Sequence, residues 1–66
     1  MSLGTELPKE IARVRDELLP LYDGIPAGRF AATLMRNDLD VATRALAEGD
    51  LPTMIRVYTR LKEYKA

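Results

Sequence analysis

The sequence predicts an all-α fold: three helices running up, down and up, with a long central helix and an αα-hairpin. Three observations carry this expectation. Apolar residues recur at spacings of three and four through most of the 66 residues. No stretch alternates apolar and polar residues with β-branched or aromatic enrichment, as a half-buried strand would. Pro and Gly gather at Asp23-Gly24-Ile25-Pro26 and around Gly49-Asp50, dividing the chain into three helical stretches.

The first helix is read from Pro8 to Tyr22. Pro8 suits a first turn, where its missing N–H has no helical partner to lose. Glu6 and Glu10 lie near the positive end of the helix dipole. Leu7, Ile11, Val14, Leu18 and Leu21 succeed one another at spacings of four, three, four and three. At about 100° per residue they form one narrow seam, joined by Tyr22. Lys9, Arg13, Asp16 and Glu17 point away. Pro20 falls on the outer side, where it bends the last turn or ends the helix near Leu19. Ser2-Leu3 is given no role. In the turn after this helix, Gly24 permits a left-handed cap, Pro26 opens the next helix, and Ile25 is expected to plug the end of the core.

The second helix is read from Ala27 to Glu48. Phe30, Ala31, Leu34, Met35, Leu39, Val41, Ala42, Ala45 and Leu46 project onto one continuous half of it. Arg29, Arg36, Asp40, Thr43 and Arg44 occupy the other half. The phase holds throughout, which favours one helix; the alternative is a break at Asn37-Asp38, with Asn37 capping a new helix. Gly49 then ends the helix and Asp50 caps the third, which starts at Leu51-Pro52. Leu51, Met54, Ile55, Val57, Tyr58, Leu61 and Tyr64 share its inward side, while Arg56, Thr59, Arg60 and Glu63 face water. The two-residue connection forces an antiparallel hairpin.

A single domain of this size buries only ~60% of the surface its unfolded chain exposes. Cys and His are both absent, so disulfides and thiolate or imidazole metal sites are excluded, as is catalysis built on either residue. Ten basic and ten acidic residues balance to a net charge of +0, which argues against a polyanion binder driven by bulk charge. No secretory signal, membrane span or lipidation motif is evident, so a cytoplasmic protein is expected. Very regular helix packing or self-association would supply the missing stabilisation. The second helix, at ~33 Å against ~22–24 Å for its neighbours, is expected to project or to find a partner. Its apolar half is also wider than the ~100° stripe that one facing surface requires. A twofold homodimer is the common closed solution.

Asp38 is the most informative polar residue, because it projects into the middle of that apolar half and must be paired, neutralised or wet. Candidate partners are Tyr22, Tyr58, Tyr64, Arg15 or a group of another subunit. It reads as a satisfied polar residue or one exposed by a local helix break, then as a device fixing dimer register, and last as a ligand-binding or catalytic carboxylate, for which no second catalytic group stands at a meaningful spacing. The candidate interface residues are Phe30, Leu34, Asp38, Val41, Met54 and Tyr58. A second set, Gly28, Arg29, Arg36 and Arg44, has parts suited to an anion: a helix start, a Gly permitting close approach and an Arg-bearing face. A tight entry turn and a solvated, self-cancelling charge ladder explain the same residues.

The segment Ala42-Thr43-Arg44-Ala45-Leu46-Ala47-Glu48-Gly49-Asp50, with Tyr58 and Leu61, resembles a tetratricopeptide-type hairpin, although an array needs at least three repeats and only one unit is present. The run from Leu18 to Phe30, together with Ala45 to Asp50, resembles small uncharacterised proteins of bacteria and their prophages. That resemblance implies a bacterial or phage setting and brings no activity or functional residues. The reading that results is a non-enzymatic interaction or assembly module acting as a homodimer, which could also dock another protein, with no cofactor, metal, membrane or nucleic-acid partner expected. The alternative is a small regulator holding nucleic acid or an anionic ligand through its Arg-bearing helix face.

Overall fold

Pro20 lacks the N–H that would bond to Asp16, and its ring would collide with that carbonyl in an ordinary helix. The chain resolves the conflict by widening one turn. In a computed structural model describing residues 2–66, α1 (Leu3–Arg13) passes into a π-helical turn (Val14–Leu18) and then into α2 (Leu19–Asp23). The Leu19 N–H donates to the carbonyl of Val14, five residues back. These three pieces form one rod. A 3₁₀ turn (Pro26–Gly28) leads to α3 (Arg29–Glu48), and α4 (Leu51–Glu63) completes the all-α bundle, with no strand among the described residues. The molecule measures 35 × 19 × 16 Å. Among the described residues no helix is long and apolar enough to cross a membrane.

The first rod differs from the sequence expectation at both ends. It begins at Leu3 rather than Pro8, because the Ser2 carbonyl accepts the N–H groups of Thr5 and Glu6 at 3.1 and 2.9 Å. Leu3 packs against the core. Pro8 is therefore inside the helix; Gly4, whose carbonyl its N–H would have reached, is exposed to solvent. At the other end Pro20 does not end the helix; it sits in the first turn of α2, immediately after the π turn. The extra residue of the π turn rotates the segment after it, so Tyr22 is half-buried while Leu21 is 57% exposed. Ile25, expected to plug the core, is 53% exposed. Gly24 has φ −80° and makes no left-handed cap.

The rod from Leu3 to Asp23 matches the 20-residue α3 in length, so the expected mismatch disappears. α3 is unbroken at Asn37-Asp38 and buries Ala32, Met35, Asp38, Ala42 and Ala45. Ala32 takes the place expected for Ala31. Leu39, Val41 and Leu46 flank this seam half-buried, whereas Phe30 is exposed. Leu7, Val14, Leu18, Met54, Val57 and Leu61 complete the core from the other helices. On α4, Leu51 and Ile55 are each 55% exposed rather than inward.

The hairpin turn forms as the residues dictate. Gly49 adopts φ +67°, a conformation costly for any residue with a Cβ. Its N–H donates to Leu46 and that of Asp50 to Ala45, closing a Schellman motif. The Asp50 carboxylate then accepts the Thr53 N–H at 3.4 Å and the Thr53 hydroxyl at 2.6 Å, capping α4. At the far end of α4, Arg13 turns inward against expectation and donates to the Leu61 carbonyl at 2.9 Å, placing a cation at that helix's negative end.

Candidate functional site

The antiparallel register set at Gly49-Asp50 brings the middle of α3 beside the end of α4. Asp38, only 4% exposed, accepts two bonds there. Its Oδ1 receives Arg60 Nε at 2.9 Å and its Oδ2 the Tyr64 hydroxyl at 2.7 Å. Among the described residues no buried side-chain polar atom is left unpartnered. Tyr64 is one of the partners the sequence suggests. Arg15 is another, but it pairs with its neighbour Asp16 on the outside of the π turn. Arg60, expected to face water, bends over the α3–α4 seam and leaves half of its side chain exposed.

This arrangement holds the charges firmly. Burial raises the Tyr64 hydroxyl to a pKa of about 12, helped by its hydrogen bond to Asp38 and by the carboxylate's charge. The Arg60 guanidinium is raised by its hydrogen bond to Asp38 and then by the same charge. A carboxylate with two strong donors, one cationic, is a satisfied group; stripped of them it would be an uncompensated buried charge.

Directly outside the triad lies a shallow pocket of about 270 Å³, lined by Leu34, Arg60, Glu63 and Tyr64. Phe30, 76% exposed, stands one helical turn before Leu34 on the same flank of α3. Val41 continues that flank half-buried. The remaining two expected interface residues lie elsewhere. Met54 is 6% exposed, enclosed by the chain's own core. Tyr58 is half-buried about 160° around α4 from Arg60, with the Lys62 ammonium 5.4 Å above its ring. The six residues therefore do not share one face; Phe30, Leu34 and Val41 do, with Asp38 beneath them.

The four residues considered for an anion do not converge. The Gly28 N–H donates to Ile25 at 2.9 Å, and the Tyr22 carbonyl fills the space where a side chain would start. Arg36 pairs with Asp23, and Arg44 with Asp40 at 3.1 Å. Arg29 lies about 22 Å along the helix from Arg44. A separate apolar pocket of about 280 Å³ is lined by Leu21, Tyr22, Ile25 and Ala66. Among the described residues no group of acidic side chains could hold a metal ion.

Sequence reasoning places Asp38 and misses Arg60 and Glu63. The signal that could have found them is the register: in a hairpin centred on Gly49-Asp50, residue 38 falls opposite residues 60–64. Compared with protein-family models, with curated proteins and with solved structures, the chain matches none.

Proposed function

We propose that the protein is a non-enzymatic interaction module that self-associates through the flank of α3 carrying Phe30 and Leu34. The observation that supports this most is the position of Phe30. Its ring, the chain's one phenylalanine, stands 76% exposed in the first turn of α3, a turn away from Leu34. Burying such a side chain contributes about 1.5–3 kcal/mol, and a twofold contact counts it twice. A chain of this size gains most from such a contact, since its own core seldom supplies more than ~3–5 kcal/mol. Zero net charge leaves two copies without bulk repulsion.

The alternative, a regulator holding nucleic acid or an anion through Arg29, Arg36 and Arg44, has less support, because two of those three arginines already face carboxylates of this chain. Sedimentation equilibrium tests the proposal. At ~100 µM, well above a micromolar dissociation constant, the mass expected is that of two chains, and Phe30→Glu should return it to one. A single-chain mass for the unaltered protein at that concentration would refute self-association.

A further inference from the structure

The two pockets described above share one structural element, the end of the chain. α4 stops at Glu63, and Tyr64 turns the backbone away from the helix into an extended conformation, with ψ 132°. Three consecutive residues are then each held by a different part of the bundle. Tyr64 lines the pocket beside Leu34, Arg60 and Glu63 and donates its hydroxyl to Asp38 of α3 at 2.7 Å. The Lys65 carbonyl accepts the Tyr22 hydroxyl of α2. Ala66 forms one wall of the apolar pocket made with Leu21, Tyr22 and Ile25. Tyr22 is placed for this by the π turn, whose extra residue rotates α2 towards the core.

Neighbouring Cα atoms are ~3.8 Å apart, so a chain pinned at Tyr64 keeps Lys65 within reach of Tyr22, and the converse. Each tie therefore raises the effective concentration of the other. Lys65 and Ala66 are exposed and Tyr64 is half-buried, so lifting them gives up little burial and the helices can stay folded meanwhile. We infer that Tyr64–Ala66 is a strap that seats and lifts as one unit, and that it couples the two pockets. The movement that takes Ala66 off Leu21 and Ile25 also takes Tyr64 off Asp38. With the strap lifted, Asp38 keeps Arg60 alone, and each pocket loses a wall. The coupling is reciprocal: whatever displaces the strap at one pocket loosens it at the other. It is a property of the single chain and holds whether or not two copies associate.

Nuclear magnetic resonance of the full chain tests this with two single-atom deletions. In the unaltered chain the amides of Lys65 and Ala66 should show order parameters near the ~0.85 of rigid backbone, and the Ala66 methyl should contact the side chains of Leu21 and Ile25. Tyr64→Phe removes the bond to Asp38 and leaves the Tyr22 hydroxyl intact. It should nevertheless raise the lifted population about fivefold, the effect of one net hydrogen bond, and weaken the Ala66 contacts two residues further on. Tyr22→Phe should do the reverse, loosening Tyr64 from the pocket beside Leu34. In both variants the order parameters of residues 51–63 should stay unchanged, which separates a lifted strap from an unfolded helix. Order parameters below ~0.6 at Lys65 and Ala66 in the unaltered chain would overturn the strap outright. Variants that each loosen only the residue whose bond was cut would overturn the coupling.

Discussion

The two ends of the bundle are closed by different physics. At the hairpin end, every bond that matters spans five residues or fewer. Gly49 takes the left-handed conformation, Asp50 donates back to Ala45, and the Asp50 carboxylate caps α4 through Thr53. At the opposite end two contacts join residues distant in sequence, and a third is a close approach of backbone to backbone. The Tyr22 hydroxyl donates to the Lys65 carbonyl, Arg36 crosses to Asp23, and Gly28 sits against the backbone of Tyr22. A local closure depends on residue types at fixed offsets. A non-local one depends on where two helices meet after the rest has packed. The first should fail gradually under substitution and the second abruptly.

The largest effect should come from Gly28→Ala. A Cβ there would lie 2.5 Å from the Tyr22 carbonyl oxygen and 3.0 Å from Tyr22 Cα. Backbone cannot swing aside as a flexible side chain does, so the 3₁₀ turn must separate from α2. Overpacking of this kind costs about 1–3 kcal/mol, and the upper part of that range is expected. Gly4→Ala is the matched control. It lies within α1 with nothing within 4 Å of a Cβ, so the same change should stabilise by up to about 1 kcal/mol. Urea denaturation of the two variants reads both signs. Equal effects would show that the close approach at Gly28 is not a constraint.

The middle-sized effect belongs to the hairpin end. Asp50→Ala removes the side-chain acceptor for the Thr53 N–H and hydroxyl, and should cost about 1 kcal/mol. Because Gly49 and the Schellman bonds remain, the helices should keep their register and the loss should appear as a lower Tm with unchanged helix content. A loss above that of Gly28→Ala would reverse the ranking of the two ends.

The same division explains what is legible in the sequence. Gly49-Asp50 and the antiparallel pairing of α3 with α4 follow from local chemistry, and the structure has both. It also has the continuity of α3 through Asp38, since an unbroken apolar phase outweighs a cap at Asn37. The rod from Leu3 to Asp23 departs from expectation because neither of its prolines acts as punctuation. Pro8 is accommodated inside α1 on its exposed side, and Pro20 by a π turn that inserts one residue into the helical phase. That insertion is why Tyr22 replaces Leu21 against the core. At the candidate site, the burial of Asp38 is visible in its position among apolar residues, while the identity of its cation is not. Arg60 lies on the flank of α4 next to Asp38, and only the hairpin register distinguishes it from Arg56.

The smallest effect sharpens the comparison most finely, because it isolates one non-local bond by pH. Tyr64 has its hydroxyl raised from 10.0 to about 12 in the folded chain, by burial first and then by its bond to Asp38. Between those two values the unfolded chain has lost its proton and the folded chain has kept it. The unfolded state therefore binds fewer protons, and stability falls as pH rises through this window. The contribution is whole below pH ~10 and gone above pH ~12, where a phenolate would face the Asp38 carboxylate. Other tyrosines and the lysines titrate nearby, so the measurement is a difference. Melting curves of the unaltered chain and of Tyr64→Phe should run parallel below pH ~10, offset by the lost hydrogen bond, and converge as the pH climbs towards 12. Curves that stay parallel across that whole span would mean that folding does not raise the Tyr64 hydroxyl, so that the offset alone measures its bond to Asp38.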